Sequence, residues 1–404
     1  MMNKKCLCCE SEKLAFLFTL GSMPPVNAFV SEGESEESFP LDLYFCENCS
    51  LIQLGEVVDP EKLFTNYHHT SSASAGNVKH LEDVVKVLEA KSLVRGKKVL
   101  EIGSNDGLLL SFLKKSGAEV LGVDPAENLY REVEAKGVSS LVGFFDENFA
   151  NQMKAEHPYF DTIVALNVMA HTPTFLSALK GVMKLLTPEG SFMMENAYVV
   201  DTILQGQFDT IYHEHIFCFS LHSLMHAYEL AGLKAVDAEI IPTQGTSIRV
   251  FVQHKDTVSK PSNRMLKILE NEIQSNFKSL EVFKKSSQMI EDFRINFLSY
   301  IEKNNTSKFI ALGAPARGVV ILNYCKINSK YIDFVIDDTK LKQGKYLPGL
   351  KIQVKDWGSL DIKNHHQFIV LSWNYAESFI TRLRSLGVTG KVLIPFPNFQ
   401  EVIL

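Results

Sequence analysis

The chain of 404 residues contains no long apolar run and no excess of positive charge. A helix that crosses a membrane needs roughly 18 or more consecutive apolar residues. No run here approaches that length, so we expect no membrane contact. The 41 lysine and arginine residues are outnumbered by 47 acidic residues, which gives a formal net charge of -6 at pH 7. Because proteins that bind nucleic acid usually present a basic face, the composition argues against a nucleic acid partner.

An apolar leader is also missing, since the sequence begins MMNKKCLCCE. A secretory signal would place an apolar segment after its first basic residues, so we expect a cytoplasmic protein. Disulfides are rare in that compartment, and the seven cysteines therefore favour metal or redox chemistry. A chain of this length exceeds one ordinary core and predicts two or three domains.

Five of the seven cysteines lie in the turn-rich first segment, before Phe64. Two CxxC pairs, Cys6 with Cys9 and Cys46 with Cys49, are typical of a tetrahedral zinc site. Cys8 is a spare that could replace a member of the first pair, but the spacing favours the outer two thiols. Four cysteine ligands leave zinc no open position for substrate, so we expect a structural ion. The alternative is a set of unrelated buried thiols.

Two later parts of the chain alternate buried-looking strands with glycine turns and helices. The stretch KKVLEIGSNDGLLLSFLKKSGAEVLGVD predicts a strand, a glycine turn, a helix and a second strand with an acidic end. This pattern starts a doubly wound, Rossmann-like sheet, and a hairpin is predicted within AVDAEIIPTQGTSIRVFVQH. A long charged helical stretch follows from about 260 to 304, and SKFIALGAPARGVV then repeats the alternation. The fold class is α/β, with a small N-terminal zinc-binding domain and two Rossmann-like units.

The first glycine turn, EIGSNDG, has the pattern E-x-G-x-x-x-G after an apolar strand. It is neither the G-x-G-x-x-G of a dinucleotide site nor a P-loop, and it suits S-adenosylmethionine. Asp124 ends the next strand, where a carboxylate can accept two ribose hydroxyls. Phe145 is either an adenine contact or a core residue, and a plain strand-to-helix loop is the alternative for the turn. The predicted cofactor contacts are Glu101, Gly103, Ser104, Asn105, Gly107, Asp124, Pro125, Phe145 and Asn167. The later GAPARG is either a nucleotide turn, with Arg317 meeting a phosphate, or a structural turn.

A run of titratable residues, YHEH at 212–215, stands beside many apolar residues. It is not the H-E-x-x-H of a helix-borne zinc site. In a helical turn, Tyr212 and His215 would point into one pocket with Glu214 beside them. His171 follows a predicted strand, at the edge where open α/β sheets gather ligands. We expect these four residues to converge over the methyl donor; the alternative is ordinary hydrogen-bonded residues at strand ends.

Together these motifs resemble a known family, the S-adenosylmethionine-dependent sugar C-methyltransferases of the tetronitrose pathway type. The resemblance covers essentially the whole chain. It rests on the CxxC pairs, YHHTSSAS at 67–74, EIGSNDG, NVMAH, QFDTIYHEHIFCFS, GAPARG and DDTKLKQGKYLPG. It implies a zinc-binding domain over 1–70, a methyltransferase domain over 71–255, and a Rossmann-like domain over 256–404 that helps to enclose substrate.

The resemblance also implies a substrate, a nucleotide-linked 4-keto-6-deoxyhexose methylated at C3 for branched deoxysugar biosynthesis, and we expect a monomer or weak homo-oligomer. The predicted substrate contacts are Tyr67, Ser72, Asn196 and Arg317. His69 stands where the family tends to carry tyrosine, so no role is carried over to that position. Arg317 stands where lysine is frequent and keeps the positive charge.

Methylation at carbon has a chemical requirement of its own, because a C–H bond is not nucleophilic. An adjacent ketone acidifies the C3 proton, and a neutral histidine is a suitable base near neutral pH. We assign His215 as the base and Tyr212 as the donor to the enolate oxygen or the alternative base, with His171 and Glu214 orienting them. The alternatives are an O- or N-methyltransferase of small molecules, an RNA-modifying enzyme, and a scaffold that retains an inactive methyltransferase fold.

Overall fold

The computed structural model describes residues 4–65, 67, 70–243 and 245–404. The predicted departure at His69 lies outside the described residues. In the ranges described, no helix is both long enough and apolar enough to cross a bilayer.

The N-terminal part is an antiparallel sheet that begins just after the first cysteine pair. Its strands are β1 (Leu14–Met23), β2 (Phe39–Cys46) and β3 (Ile52–Leu54), followed by helix α1 (Pro60–Phe64). Strand β2 ends at Cys46, so the second CxxC turn lies between β2 and β3. The sheet therefore places both cysteine pairs at the same end of the small domain.

The central part is a seven-stranded mixed sheet. Its first half contains α2 (Ala75–Ala90), β4 (Lys98–Ile102), α3 (Leu108–Lys115), β5 (Glu119–Asp124), α4 (Tyr130–Ala135), β6 (Ser140–Val142) and α5 (Glu147–Met153). Its second half contains β7 (Phe160–Leu166), α6 (Phe175–Leu185), β8 (Leu186–Ala197), α7 (Val199–Leu204), α8 (Leu221–Leu230), β10 (Leu233–Ile241) and β11 (Ser247–His254). The strand order is β10-β11-β8-β7-β4-β5-β6, parallel from β6 to β8 and antiparallel in the last two strands.

The predicted βαβ unit and the predicted hairpin are both present, the latter as β10 and β11. Ile163, Val164 and Ala165 of β7 are fully buried, as expected for a parallel strand covered on both faces. The short strand β9 (Phe217–Cys218) is not part of this sheet, because it pairs with β3 of the N-terminal sheet.

The C-terminal part contains a six-stranded sheet in the order β14-β13-β12-β15-β16-β17. Its elements are β12 (Phe309–Leu312), α11 (Ala316–Tyr324), β13 (Ile332–Ile336), β14 (Gln353–Lys355), β15 (His365–Val370), α12 (Ala376–Ser385), β16 (Thr389–Ile394) and β17 (Gln400–Ile403). The five strands before β17 are parallel, as the alternation of strands and helices predicts.

The predicted long helical stretch before this sheet is two helices, α9 (Asn263–Gln274) and α10 (Leu280–Lys303). The break has a local cause, because Asn276 adopts a left-handed backbone with φ of 51°. The Ser279 side chain then accepts a hydrogen bond from the amide of Val282 and caps the second helix.

Contacts between the three parts meet near one edge of the central sheet. Val30 of the N-terminal part forms a β-bridge with Tyr346 of the C-terminal part. The Leu54 amide donates to the carbonyl of Ile216 over 2.9 Å, directly after the YHEH run. The site predicted from the central motifs is therefore bordered by both of the other domains.

Candidate active site

The glycine turn follows the carboxyl end of β4, as predicted. Gly103 has φ of 74° and donates its amide to the carbonyl of Val123 over 2.8 Å. A Cβ atom added at Gly103 would lie 2.7 Å from Val168 Cγ2. The position therefore needs glycine both for its backbone conformation and for the space beside Val168. Gly107, with φ of 74°, caps the N-terminus of α3.

Asp124 ends the neighbouring strand β5 and receives two backbone amides. The Asn105 amide donates to Oδ2 over 2.8 Å, and the Ala126 amide donates to Oδ1 over 2.9 Å. Pro125 lies between Asp124 and the second donor. Burial raises the pKa of Asp124, and these two hydrogen bonds offset the shift only in part. The carboxylate is thus fixed in place beside the glycine turn.

Several buried polar atoms at this edge have no hydrogen-bond partner among the described residues. They belong to Glu101 (Oε2), Asp106 (Oδ1), His171 (Nε2) and Asn196 (Oδ1). Burial and the nearby carboxylates of Asp124 and Asp106 raise the pKa of Glu101 well above its ordinary value. Because unpaired buried polar groups are costly, such a cluster fits a site whose ligand completes the hydrogen bonds. A ligand with an amino group and hydroxyls, such as S-adenosylmethionine, matches this donor and acceptor set.

Other predicted cofactor residues lie at the same edge with partners of their own. The Ser104 hydroxyl is 2.8 Å from that of Ser140, and the Asn167 amide donates to the carbonyl of Glu195 over 2.8 Å. Phe145 is buried in the core, whereas its neighbour Phe144 is 41% exposed. This placement favours the core alternative for Phe145, and its adenine contact stays a prediction.

The YHEH run forms a hydrogen-bonded turn rather than part of a helix. The His215 amide donates to the carbonyl of Tyr212 over 2.8 Å, and the two rings lie 4.0 Å apart between centroids. The expected neighbourhood of these side chains is present although the turn does not continue into a helix. His213 points elsewhere, and its Nε2 lies 3.0 Å from the Phe39 carbonyl.

His171 stacks on His215 with ring centroids 5.1 Å apart, and Phe64 stacks on His171 with ring centroids 5.4 Å apart. Burial lowers the pKa of His215 to about 4. Burial and the adjacent His215 lower the pKa of His171 well below its usual range. Both imidazoles are therefore neutral near pH 7.

Glu214 is 2% exposed and contacts the N-terminal part of the chain. Asn27 Nδ2 donates to its Oε1 over 2.6 Å, and the Tyr67 hydroxyl lies 3.5 Å from its Oε2. Burial raises the pKa of Glu214 to about 7, although the bonds from Asn27 and Tyr67 act in the opposite direction. Sequence reasoning missed Asn27, because PPVNAFV carries no periodicity or motif that marks it.

Two other predicted substrate residues, Ser72 and Arg317, are hydrogen-bonded to aspartates. The Ser72 amide donates to Asp106 Oδ2 over 3.2 Å, and its hydroxyl bonds to the same atom. Arg317 donates two hydrogen bonds to the fully buried carboxylate of Asp209, over 2.8 and 2.9 Å. The substrate roles of these residues stay predictions. Asn196 borders a small cavity that also touches Asn167, Thr210 and His215.

The four predicted zinc ligands lie together in the N-terminal part. Their sulfur atoms are all within 4.8 Å of one another, with Cys6 to Cys49 and Cys9 to Cys46 each at 3.6 Å. A tetrahedron with Zn–S bonds of about 2.3 Å places sulfur atoms about 3.8 Å apart. The four thiols therefore fit a structural zinc ion, and Cys8 is outside the cluster.

Three family models match successive parts of the chain. A putative zinc binding domain matches residues 6–64, a methyltransferase domain matches 76–238, and a C-methyltransferase C-terminal domain matches 242–397. The C-methyltransferase NovU from Streptomyces niveus is 29% identical over 403 residues, covering 98% of this chain and 96% of that protein. The chain is an S-adenosylmethionine-dependent C-methyltransferase.

Shorter similarities accompany this full-length one. The ubiquinone biosynthesis O-methyltransferase from Actinobacillus pleuropneumoniae serotype 5b (strain L20) is 31% identical over 101 residues, covering 24% of the C-methyltransferase and 43% of that protein. The crystal structure of magnesium protoporphyrin IX methyltransferase from Synechocystis PCC 6803 with bound SAH covers 44% of the C-methyltransferase and 83% of that chain, with 18% identity and a TM-score of 0.36.

These findings confirm the predicted relation to C-methyltransferases, the α/β fold class and the methyltransferase activity, with S-adenosylmethionine and zinc as cofactors; the sugar substrate of the predicted family stays a prediction. The residue assignments within the active site and the domain boundaries at 70 and 255 stay predictions.

Proposed function

We propose that this C-methyltransferase methylates C3 of a nucleotide-linked 4-keto-6-deoxy sugar through an enolate, as a step of branched deoxysugar biosynthesis. The observation that carries the proposal is the cluster of His171, Tyr212, Glu214 and His215 at the carboxyl edge of the central sheet. Two neutral imidazoles, a phenol and a carboxyl group with a pKa of about 7 are suited to moving a proton. O-methylation of a hydroxyl needs no carbon-acid base of this kind.

His215 is the proposed base because its two ring nitrogens have different environments. Its Nδ1 lies 2.6 Å from the carbonyl oxygen of Thr210, which can only accept a hydrogen bond. The proton of the neutral ring is therefore on Nδ1, and the Nε2 lone pair is available to the substrate. The negative charge that develops on the enolate would stabilise the imidazolium formed when Nε2 takes the C3 proton.

Tyr212 is the proposed donor to the C4 oxygen. Burial and the nearby Glu214 raise its pKa, so the phenol keeps its proton near pH 7 and can donate a hydrogen bond to the enolate oxygen. This protonation state favours the donor role over the alternative role as base. His171 and Glu214 are the proposed orienting groups. His171 stacks on His215, and Glu214 is itself held by hydrogen bonds with Asn27 and Tyr67.

Residues at the glycine turn would hold S-adenosylmethionine, with Asp124 accepting ribose hydroxyls and Glu101, Asn105 and Asn167 beside the amino-acid portion. When bound, this cofactor supplies an electrophilic methyl group. Tyr67, Ser72, Asn196 and Arg317 are the proposed residues on the substrate side. The zinc ion held by the four cysteines has a structural role in the proposal, since no ligand position remains for substrate.

The proposal is tested by product analysis with S-adenosylmethionine that carries a ¹³C-labelled methyl group and a 4-keto-6-deoxy nucleotide sugar as acceptor. We expect the protons of the labelled methyl group to show a long-range correlation to C4 through a quaternary C3. The signal of the C3 proton should be lost. A labelled methyl group on oxygen or nitrogen, with the C3 proton retained, would overturn the proposal. Boiled enzyme and enzyme without acceptor are the controls.

A further inference from the structure

The residues that surround His215 are connected to the zinc-binding part by a two-residue strand. We name residues 208–216 the catalytic loop, and this name rests on the function proposed above. Strand β9 follows this loop at once and pairs with β3, with Ile52 opposite Cys218 and Gln53 opposite Phe217. The bond from the Leu54 amide to the Ile216 carbonyl extends the pairing to the residue next to His215.

Gln53 joins this strand pair to the first cysteine turn. Its side chain is completely buried. Its Oε1 accepts a hydrogen bond from the Leu7 amide over 2.8 Å, and its Nε2 donates to the Lys5 carbonyl over 3.2 Å. These two backbone groups stand on either side of the zinc ligand Cys6. A buried amide with both ends paired fixes the position of its partners, because leaving either end unpaired is costly.

We propose that Gln53 is a positioning residue through which the zinc-ordered cysteine turn holds the catalytic loop in place. Bound zinc would hold Cys6 in the cysteine turn. The Gln53 side chain joins β3 to the backbone on both sides of Cys6, and the β3–β9 pair joins β3 to the end of the loop. The glycine turn is held differently, since the Asp124 carboxylate is bound by amides within the central domain. Loss of zinc or of the Gln53 side chain should therefore disorder the acid–base residues and leave the cofactor site unchanged.

The test uses the full-length protein with zinc and a Gln53→Met variant, which keeps the length of the side chain and removes both hydrogen bonds. Hydrogen exchange by mass spectrometry is measured for peptides that cover 208–218 and 101–107. We expect exchange in 208–218 to rise at least about 10-fold while exchange in 101–107 stays unchanged. Affinity for S-adenosylmethionine should stay within about 2-fold, zinc content should stay at one per chain, and kcat should fall about 10- to 100-fold.

Gln367→Met is the matched control, because Gln367 also lies on a strand and donates to a backbone carbonyl, that of Asn304, over 2.9 Å. This variant should leave exchange in 208–218 and kcat at the level of the unmodified protein. If Gln53→Met does not fold, chelation of zinc from the unmodified protein replaces it, and the same selective rise in exchange is expected.

Unchanged exchange in 208–218 in folded Gln53→Met, or after zinc chelation where chelation replaces that variant, would overturn the proposal. An equal rise in 208–218 and 101–107 would also overturn it, because Gln53 and zinc would then serve only to keep the whole chain folded. The exchange measurement needs no substrate, so it still decides this proposal if the sugar nucleotide proves to be the wrong acceptor.

Discussion

The glycine turn after β4 and the glycine turn after β12 are built alike. Gly103 donates to the carbonyl of Val123 over 2.8 Å, and Gly313 donates to that of Ile336 over 2.7 Å, both glycines with φ near 80°. An aspartate stands at the end of the neighbouring strand in each case, as the last residue of β5 or directly after β13, and its two oxygens accept backbone amides. Asp124 receives them over 2.8 and 2.9 Å, and Asp337 receives them over 2.7 and 2.9 Å.

The two turns differ in what stands beside the aspartate. Lys342 approaches the second turn and donates to the Ala314 carbonyl over 2.8 Å. Burial alone would raise the pKa of Asp337, but the charge of Lys342 and the hydrogen bonds from Thr339 and Ala314 lower it. For Asp124, burial prevails and the pKa is raised. The charge of Lys342 thus favours the ionised form of Asp337, whereas burial opposes the ionised form of Asp124.

The turns at GAPARG and EIGSNDG share their backbone geometry, but the pKa values of the aspartates beside them shift in opposite directions. The glycine turn after β12 favours the structural alternative, since the charge of Lys342 already stabilises the ionised form of its aspartate, whereas Arg317 on the following helix stays a proposed substrate contact. The helix that follows it, α11, carries Arg317 to Asp209 in the catalytic loop. In the proposed function, the central sheet binds the cofactor, and the C-terminal domain contacts the catalytic loop through the Arg317–Asp209 ion pair.

The largest expected effect concerns the helices that follow the two turns. Arg317→Met should lower the free energy of unfolding by about 3–5 kcal/mol, because it leaves the buried carboxylate of Asp209 without its cation. On α3 the corresponding change, Lys114→Met, removes an exposed lysine and should alter stability by less than about 0.5 kcal/mol. Urea unfolding of both variants measures the difference. A change below about 1 kcal/mol for Arg317→Met would show that α11 does not hold the loop.

The second prediction separates the turns by cofactor affinity. Asp124→Ala should weaken the binding of S-adenosylmethionine about 100-fold, or ~2.7 kcal/mol, because charge-assisted bonds to the ribose are lost. Asp337→Ala should leave that affinity within about 3-fold. Isothermal titration calorimetry gives both values. Equal losses in the two variants would contradict the assignment of the cofactor to the central turn.

The third and smallest expected effect is on the free energy of unfolding of the protein without cofactor, which asparagine at the two aspartate positions should change in opposite directions. Asp124→Asn should stabilise it by about 0.5–2 kcal/mol at pH 7, because the substitution removes a carboxylate whose ionised form is disfavoured by burial. Asp337→Asn should destabilise it by about 1 kcal/mol, because the attraction to Lys342 is lost.

The pH dependence of these two effects follows from the pKa shifts. The stabilisation from Asp337, whose pKa is lowered, is present above the unfolded value of about 4 and is lost as pH falls through the folded value. The penalty from Asp124, whose pKa is raised, is fully present above that raised value and is lost as pH falls through it toward the unfolded value. Denaturation series at several pH values check both trends, and parallel curves for the two asparagine variants would contradict the account.

Local sequence predicted the parts of the site that depend on local backbone. The glycine turn, the acidic strand end and the proximity of Tyr212 to His215 each follow from spacing over a few residues. The contact of Asn27 with Glu214 joins residues 187 positions apart, and no local pattern marks it. The same is true of β9, whose two residues are too few to show strand periodicity, and of Lys342, whose role emerges only beside Asp337. The long charged stretch was divided by a left-handed asparagine that periodicity does not reveal.

Proton exchange at C3 of a 4-keto-6-deoxy sugar nucleotide in D2O tests the central claim most directly. The reaction is followed by proton NMR with S-adenosylhomocysteine present, so that no methyl group can be transferred. The account predicts loss of the C3 proton signal with the unmodified enzyme and a rate at least about 100-fold lower with His215→Ala. Absence of exchange with the unmodified enzyme, or exchange at an equal rate in the variant, would contradict His215 as the base that forms the enolate.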